Sequence, residues 1–285
     1  MKRVIAVLLM TLALVCIIAR PNGTSNDTRI KATSGISDPY NPGVGTEDGL
    51  CESSRAIIGS DDRIRVSNTA AYPYSAIAAM EAHASCGCTW SGTAFMVGAN
   101  CAMTAAHCMF CDEHGTSVDG IDFYFGYDDN NRSCVYHYDG GAHYWYGTDF
   151  ENSMRTNYSD YVEMDYAYLV FETNVGDYTG WFGLQTMSDD MIESGFYQVA
   201  GYRCGIIQFD YTDVAVRGTH NELLEHWADT LPGYSGGPVF TDDYRVIAIN
   251  IAENNSGLYN IARRITPDVL NEMTENTDLS INKDF

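Results

Sequence analysis

Short runs rich in Tyr, Phe, Val and Ile, each closed by turn residues, recur at 94–97, 121–125, 166–171, 197–200, 213–216 and 246–252. Runs of four to seven such residues suit a pleated, half-buried surface and are too short for helices, so they predict strands. Only the tail reads as a helix. Thr266 suits the N-cap, Pro267 the first helical position, and Asp268 complements the dipole, while Val269, Leu270 and Met273 share one face. No repeat of fixed period stands out. At 285 residues, 45% hydrophobic and 12% aromatic, the chain can bury a core of this kind. The expected fold is all-β with a C-terminal helix. The 20 tyrosines read as barrel filling and surface packing.

Within this pattern, the heptapeptide GYSGGPV, 233–239, carries the chemistry. Glycines let the backbone turn tightly and approach a substrate closely. The N–H groups of Gly233 and Ser235 can then converge where negative charge grows on an attacked carbonyl oxygen. A serine hydroxyl is a weak nucleophile at neutral pH, and needs a base within hydrogen-bond reach and a carboxylate to orient that base. His107, in TAAHC after an apolar run, supplies the base; Asp165, opening DYAYLVF, supplies the carboxylate. His83, His114, His137, His143, His220 and His226 lack a comparable setting and read as structural or surface residues.

The order His107, Asp165, Ser235, each in its local motif, resembles the chymotrypsin-fold serine proteases. IIGSDDRIRVSNTAAYPYSAI (57–77), GTAFMVG (92–98), ADT before the serine turn and RRITPDVLNEM (263–273) narrow the resemblance to the glutamyl endopeptidase branch, over residues 56 to about 275. The resemblance implies two antiparallel β-barrels, His107 and Asp165 on the first and Ser235 on the second, with the site in the cleft between them and no room for a separate binding module. It also implies an endopeptidase working through an acyl-enzyme, with protein or peptide substrates and no cofactor. In that branch, Thr230 matches a threonine that helps bind an acidic P1 side chain, whereas the matching histidine is replaced here by Asn250. An amide donates a hydrogen bond without charge, which weakens discrimination. Asp229 raises the alternative of basic P1 residues, as in trypsin-like enzymes. Tyr234 stands where those enzymes hold the aspartate that receives a new amino terminus, so activation by that ion pair is not expected. A catalytically silent extracellular binding protein of the same fold is the further alternative.

The termini read as processing signals. Lys2 and Arg3 precede an apolar run from 4 to 19, which predicts a signal peptide over 1–20 and export. Residues 21–55 are polar and rich in turn formers, as in a propeptide or linker; cleavage after Arg55 would expose Ala56 at the head of a 56–285 protease domain. The resemblance implies that this freed terminus helps recognise substrate, and so predicts a zymogen. The formal charge of −22 and pI near 4.4 argue against nucleic acid. A monomer without stable membrane association after processing is expected.

Nine cysteines suit an oxidising compartment. Loss of Cys16 and Cys51 would leave seven, an odd number, so a free thiol or a bridge from Cys51 is expected. The resemblance implies a bridge from Cys108 to the preceding strand, with Cys86 or Cys88 as partner. HCMFCDEH also offers His107, Cys108, Cys111 and His114 as zinc donors, but His107 as a ligand would disable the triad, and no metal is assigned. Asp128-Asp129 and Asp189-Asp190 read as solvated turns rather than cation sites.

Overall fold

The computed structural model describes residues 57–277 apart from 112, 129–133, 139–142, 147–149, 151–161, 218–220 and 255. The expected signal and propeptide segments, and Ala56, lie outside the described residues. The strands of the first half are β1 (Ile64–Arg65), β2 (Ile77–Ala84), β3 (Thr89–Met96), β4 (Cys101–Thr104), β5 (Val118–Phe125), β6 (Cys134–Tyr138), β7 (His143–Tyr146) and β8 (Ala167–Val170). Those of the second half are β9 (Gly183–Leu184), β10 (Tyr197–Arg203), β11 (Ile206–Thr212), β12 (Val214–Val216), β13 (Leu223–His226), β14 (Pro238–Phe240), β15 (Arg245–Glu253) and β16 (Asn260–Arg264). Helices α1 (Gly176–Thr179), α2 (Asp189–Glu193) and α3 (Pro267–Asn276) are short or terminal.

The strands form two curled antiparallel sheets, each a half-barrel. One has the order β6-β5-β2-β3-β4-β8-β7; the other runs β1-β11-β10-β14-β15-β16-β13-β12, with β9 added in parallel to β15. All six runs picked out from sequence fall on strands. Several strands escaped that reading. In β2, the residues between the inward ones are a partly buried alanine, a glutamate and a histidine, so polarity alternates weakly. All four residues of β4 are buried, which removes alternation altogether.

The main core draws on both sheets, including Phe95, Phe123, Phe125 and Tyr168 from the first and Phe240 and Ile249 from the second. Phe182, on the crossing between sheets, packs its ring 5.9 Å from Phe95 and 5.0 Å from Phe240. A smaller cluster fills the second sheet around Val199, Val239 and Ile247. Tyr138, Tyr168, Tyr197 and Tyr234 are among the largest fully buried side chains, so much of the tyrosine load does fill the half-barrels.

The tail helix forms as its composition predicts. The Thr266 hydroxyl accepts from the Val269 amide, Pro267 occupies the first turn, and Val269, Leu270 and Met273 are buried. The helix crosses back from the second sheet to the first: the Tyr166 hydroxyl donates to Glu272 Oε2 at 2.9 Å, beside the start of β8.

Candidate active site

Strand β4 is fully buried and delivers the chain to a one-turn 3-10 helix, Ala106–Met109, which carries His107. Another single turn, Val162–Met164, places Asp165 directly before β8, which pairs with β4. Asp165 is wholly buried. Both of its oxygens serve His107: Oδ1 accepts the backbone N–H at 2.9 Å, and Oδ2 lies 2.7 Å from ring Nδ1. An ionised carboxylate only accepts, so Nδ1 bears the hydrogen and a neutral ring keeps its lone pair on Nε2. Burial disfavours the imidazolium, but the Asp165 carboxylate and the neighbouring Cys108 sulfur outweigh it and hold the His107 pKa well above its ordinary value.

Ser235 arrives on a turn between Thr230 and β14. Within it, Tyr234 N donates to Leu231 O, Gly236 N to Asn250 O and Gly237 N to Tyr234 O. The amides of Gly233 and Ser235 donate to no protein acceptor among the described residues. Gly233 and Gly236 have φ of +107° and +85°, a region where a side chain is strained. A Cβ on Gly236 would lie 2.1 Å from Thr93 O, and one on Gly233 would lie 2.5 Å from Tyr202 O. The turn is therefore pressed against β3 and β10 as closely as a backbone allows.

Thr93 locks this arrangement and went unassigned in the sequence. It is fully buried; its amide donates to Ser235 O at 2.8 Å, its hydroxyl donates to Gly233 O at 2.7 Å, and its Oγ1 accepts from Tyr202 N at 2.9 Å. Thr104, three residues before His107, donates its hydroxyl to Thr93 O at 2.8 Å. One buried threonine thus joins the strand leading toward His107, the second sheet and the serine turn. A single threonine within an apolar run gives no sequence signal for that role.

The residues expected to select the substrate are engaged within the fold. Asp229 is 2% exposed, and its two oxygens accept the Ile58 and Asp62 amides at 2.6 and 3.0 Å. Burial, more than anything else, pushes its pKa up. Asn250 donates from Nδ2 to Tyr234 O, and its Oδ1 lies 3.0 Å from His226 Nε2. Burial drives the His226 pKa down to about 4, so this imidazole is neutral at working pH and donates Nε2–H to Asn250. Thr230 is 5% exposed beside them. His226 reads in the sequence as structural or surface, and it is buried; its tie to Asn250 depends on strand order, since β13 reaches β15 only through β16.

The expected bridge from Cys108 does not form. Cys108, Cys86 and Cys88 are all free thiols. The Cys108 sulfur turns toward Ser235 O at 3.7 Å and faces β3 at Gly92, where a Cβ would be only 3.0 Å from it. Cys86 and Cys88 sit instead at the tip of the β2–β3 hairpin. Nor do His107, Cys108, Cys111 and His114 form one donor set. Cys204 is disulfide-bonded. Of the acidic pairs, Asp128 meets Arg65 and Asp189 meets Arg264, each at 2.8 Å.

Residues 92–249, which include His107, Asp165 and Ser235, match the trypsin-like peptidase domain. The chain belongs to the trypsin-like peptidase family. This peptidase is 28% identical over 230 residues to the "Extracellular metalloprotease" of Bacillus subtilis, covering 76% of the chain and 68% of the relative. It is also 28% identical over 235 residues to the "Glutamyl endopeptidase" of Bacillus licheniformis, covering 78% and 69%. Among solved structures, a Glu endopeptidase in complex with MPD superposes with a TM-score of 0.63 at 18% identity, over 78% of this chain and all of the other. HL collagenase superposes at 0.59 with 15% identity, over 78% of this peptidase and all of that chain. The chymotrypsin-like architecture expected from the motifs is thereby established for this peptidase. As a peptidase it acts on protein or peptide substrates. No described helix is long and apolar enough to cross a membrane.

Proposed function

We propose that this peptidase is an exported serine endopeptidase in which Ser235 is the nucleophile, His107 the general base and Asp165 its orienting carboxylate. The observation that carries the reading is the double hydrogen bond from His107 to Asp165, which leaves Nε2 as the proton acceptor. Ser235 Oγ bonds to the scissile carbonyl carbon as its proton passes to Nε2. The oxyanion receives the N–H groups of Gly233 and Ser235. The C–N bond then breaks as Nε2 returns the proton to the leaving amine, and water hydrolyses the acyl-enzyme by the same route. Each oxyanion donor contributes roughly 3 kcal/mol to lowering the barrier.

For specificity we favour cleavage after acidic residues, following the Bacillus licheniformis relative's name and the match at Thr230. The bonds from Ile58 and Asp62 to Asp229 weigh against basic P1 residues, because both carboxylate oxygens already accept chain amides. The same bonds hold the segment two residues beyond Ala56, so cleavage after Arg55 would free an amino group close to Asp229 and Thr230. Discrimination should be modest, since neither Asn250 nor the neutral His226 brings a positive charge. Export rests on the basic and apolar leader at residues 1–20 and on the "extracellular" in the Bacillus subtilis relative's name.

Purified, processed protein is assayed with peptides differing only at P1, alongside fluorophosphonate labelling. Glu should be cleaved fastest, Lys and Arg far more slowly, and the label should map to Ser235. Ser235→Ala should lower kcat by about 10⁶-fold. Selective cleavage after Lys or Arg would defeat the specificity proposed; absence of any adduct on Ser235 would favour a silent binding protein.

A further inference from the structure

Cys86, Cys88, Cys111 and His114 meet on the surface of the first half-barrel, and their ligand atoms all lie within 4.8 Å of one another. We infer that these four residues bind a structural zinc ion, which pins the tip of the β2–β3 hairpin to the segment that follows His107.

The geometry already has the dimensions of such a site. Zinc–sulfur and zinc–nitrogen bonds of about 2.3 and 2.0–2.1 Å in a tetrahedron put sulfur and nitrogen donors roughly 3.6 Å apart. His114 Nδ1 lies 3.4 Å from Cys88 Sγ and 3.5 Å from Cys111 Sγ. Three thiolates and an imidazole are soft donors that suit zinc, and four protein donors leave no open position, so the ion would be structural rather than catalytic.

Both donor loops are shaped to present their ligands. In the hairpin tip, Gly87 at φ +85° turns the chain between the two cysteines, with Ala84 N donating to Cys88 O and Gly87 N to Ala84 O. In the second loop, Gly115 N donates to Cys111 O and Cys111 N to Thr116 O, closing a turn that brings His114 back over Cys111. The Thr116 hydroxyl reaches Cys86 Sγ at 3.1 Å, the kind of outer contact that orients a metal-bound thiolate.

The placement has a consequence for the active site. Cys88 and Cys111 bracket β3, β4 and the one-turn helix bearing His107, with Cys111 only four residues beyond that histidine. Since Cys108 makes no bridge to β3, the ion would supply the constraint on this segment that the free Cys108 does not. A disulfide within the cluster would serve less well, because it could join only two of the three thiols.

The test uses the processed protein, purified without chelator. Elemental analysis should find one zinc per chain, and the thiols of Cys86, Cys88 and Cys111 should resist alkylation until the metal is stripped. Cys88→Ser and His114→Ala should each reduce bound zinc to less than a tenth and lower Tm, while Ser235→Ala keeps the full complement. Should either cluster variant fail to fold, cobalt(II) loaded into the unsubstituted chain should show thiolate charge-transfer and tetrahedral bands. A disulfide mapped between any two of the three cysteines would overturn the site. So would metal-free protein whose three thiols react freely, or zinc retained undiminished by both variants. None of these results depends on whether Ser235 takes up the fluorophosphonate, so the two proposals fail separately.

Discussion

His107 shows how one contact sets chemistry at the scale of a residue. Burial favours its neutral form, yet the Asp165 carboxylate 2.7 Å away and the Cys108 sulfur more than offset this. In the mechanism we propose, His107 must be neutral to accept the Ser235 proton, and it is protonated below its own pKa. Activity should therefore fall as pH drops through a value above the ordinary imidazole pKa of about 6.5. The kcat/KM profile of the free enzyme reports that limb directly. In Asp165→Asn the limb should move to lower pH, because burial then acts without an adjacent carboxylate, and kcat should drop by about 10⁴-fold as the ring tautomer is lost. An acid limb at or below pH 6.5 in the unsubstituted protein would contradict this account.

At the scale of an element, the serine turn depends on glycine because two backbones and a buried hydroxyl crowd it. A Cβ at Gly236 would meet Thr93 O at 2.1 Å and Thr104 Oγ1 at 2.2 Å, and neither can withdraw without breaking the Thr93 network. Gly236→Ala should displace Ser235, the nucleophile we propose, and lower kcat/KM at least 100-fold, the loss expected when a reacting group shifts by about 1 Å. Gly257→Ala is the control. It also has a positive φ, +67°, but open space around it, so it should cost some stability and leave kcat/KM near the unsubstituted value. Comparable kinetics for the two variants would show that close approach is not what the turn requires.

On the scale of the whole molecule, the last helix ties the second sheet back to the first. Val269, Leu270 and Met273 enter the shared core, and Glu272 receives the Tyr166 hydroxyl one residue beyond Asp165. Leu270→Ala should destabilise the fold by about 2–4 kcal/mol, through lost burial and the cavity left behind. For a domain of this size that lowers Tm by roughly 5–15 °C. Below the transition, Ser235 labelling should continue at the usual rate. An unchanged Tm would mean that the helix is only appended to the core.

Local chemistry made a good part of this legible in the chain itself. Strand runs, the helix cap at Thr266 and the three motifs around His107, Asp165 and Ser235 follow from short-range rules, because alternation, capping and turn strain act over a few residues. Tertiary structure alone decided where long-range partners fall. It turned Asp229 toward Ile58 and Asp62 across 171 and 167 residues of chain, set His226 against Asn250, and brought Thr93 to the serine turn. It also separated Cys108 from Cys111, two residues read together in sequence, and gathered Cys111 with Cys86 and Cys88. Which side a thiol or carboxylate faces depends on strand order and on what packs opposite, and the local pattern carries neither.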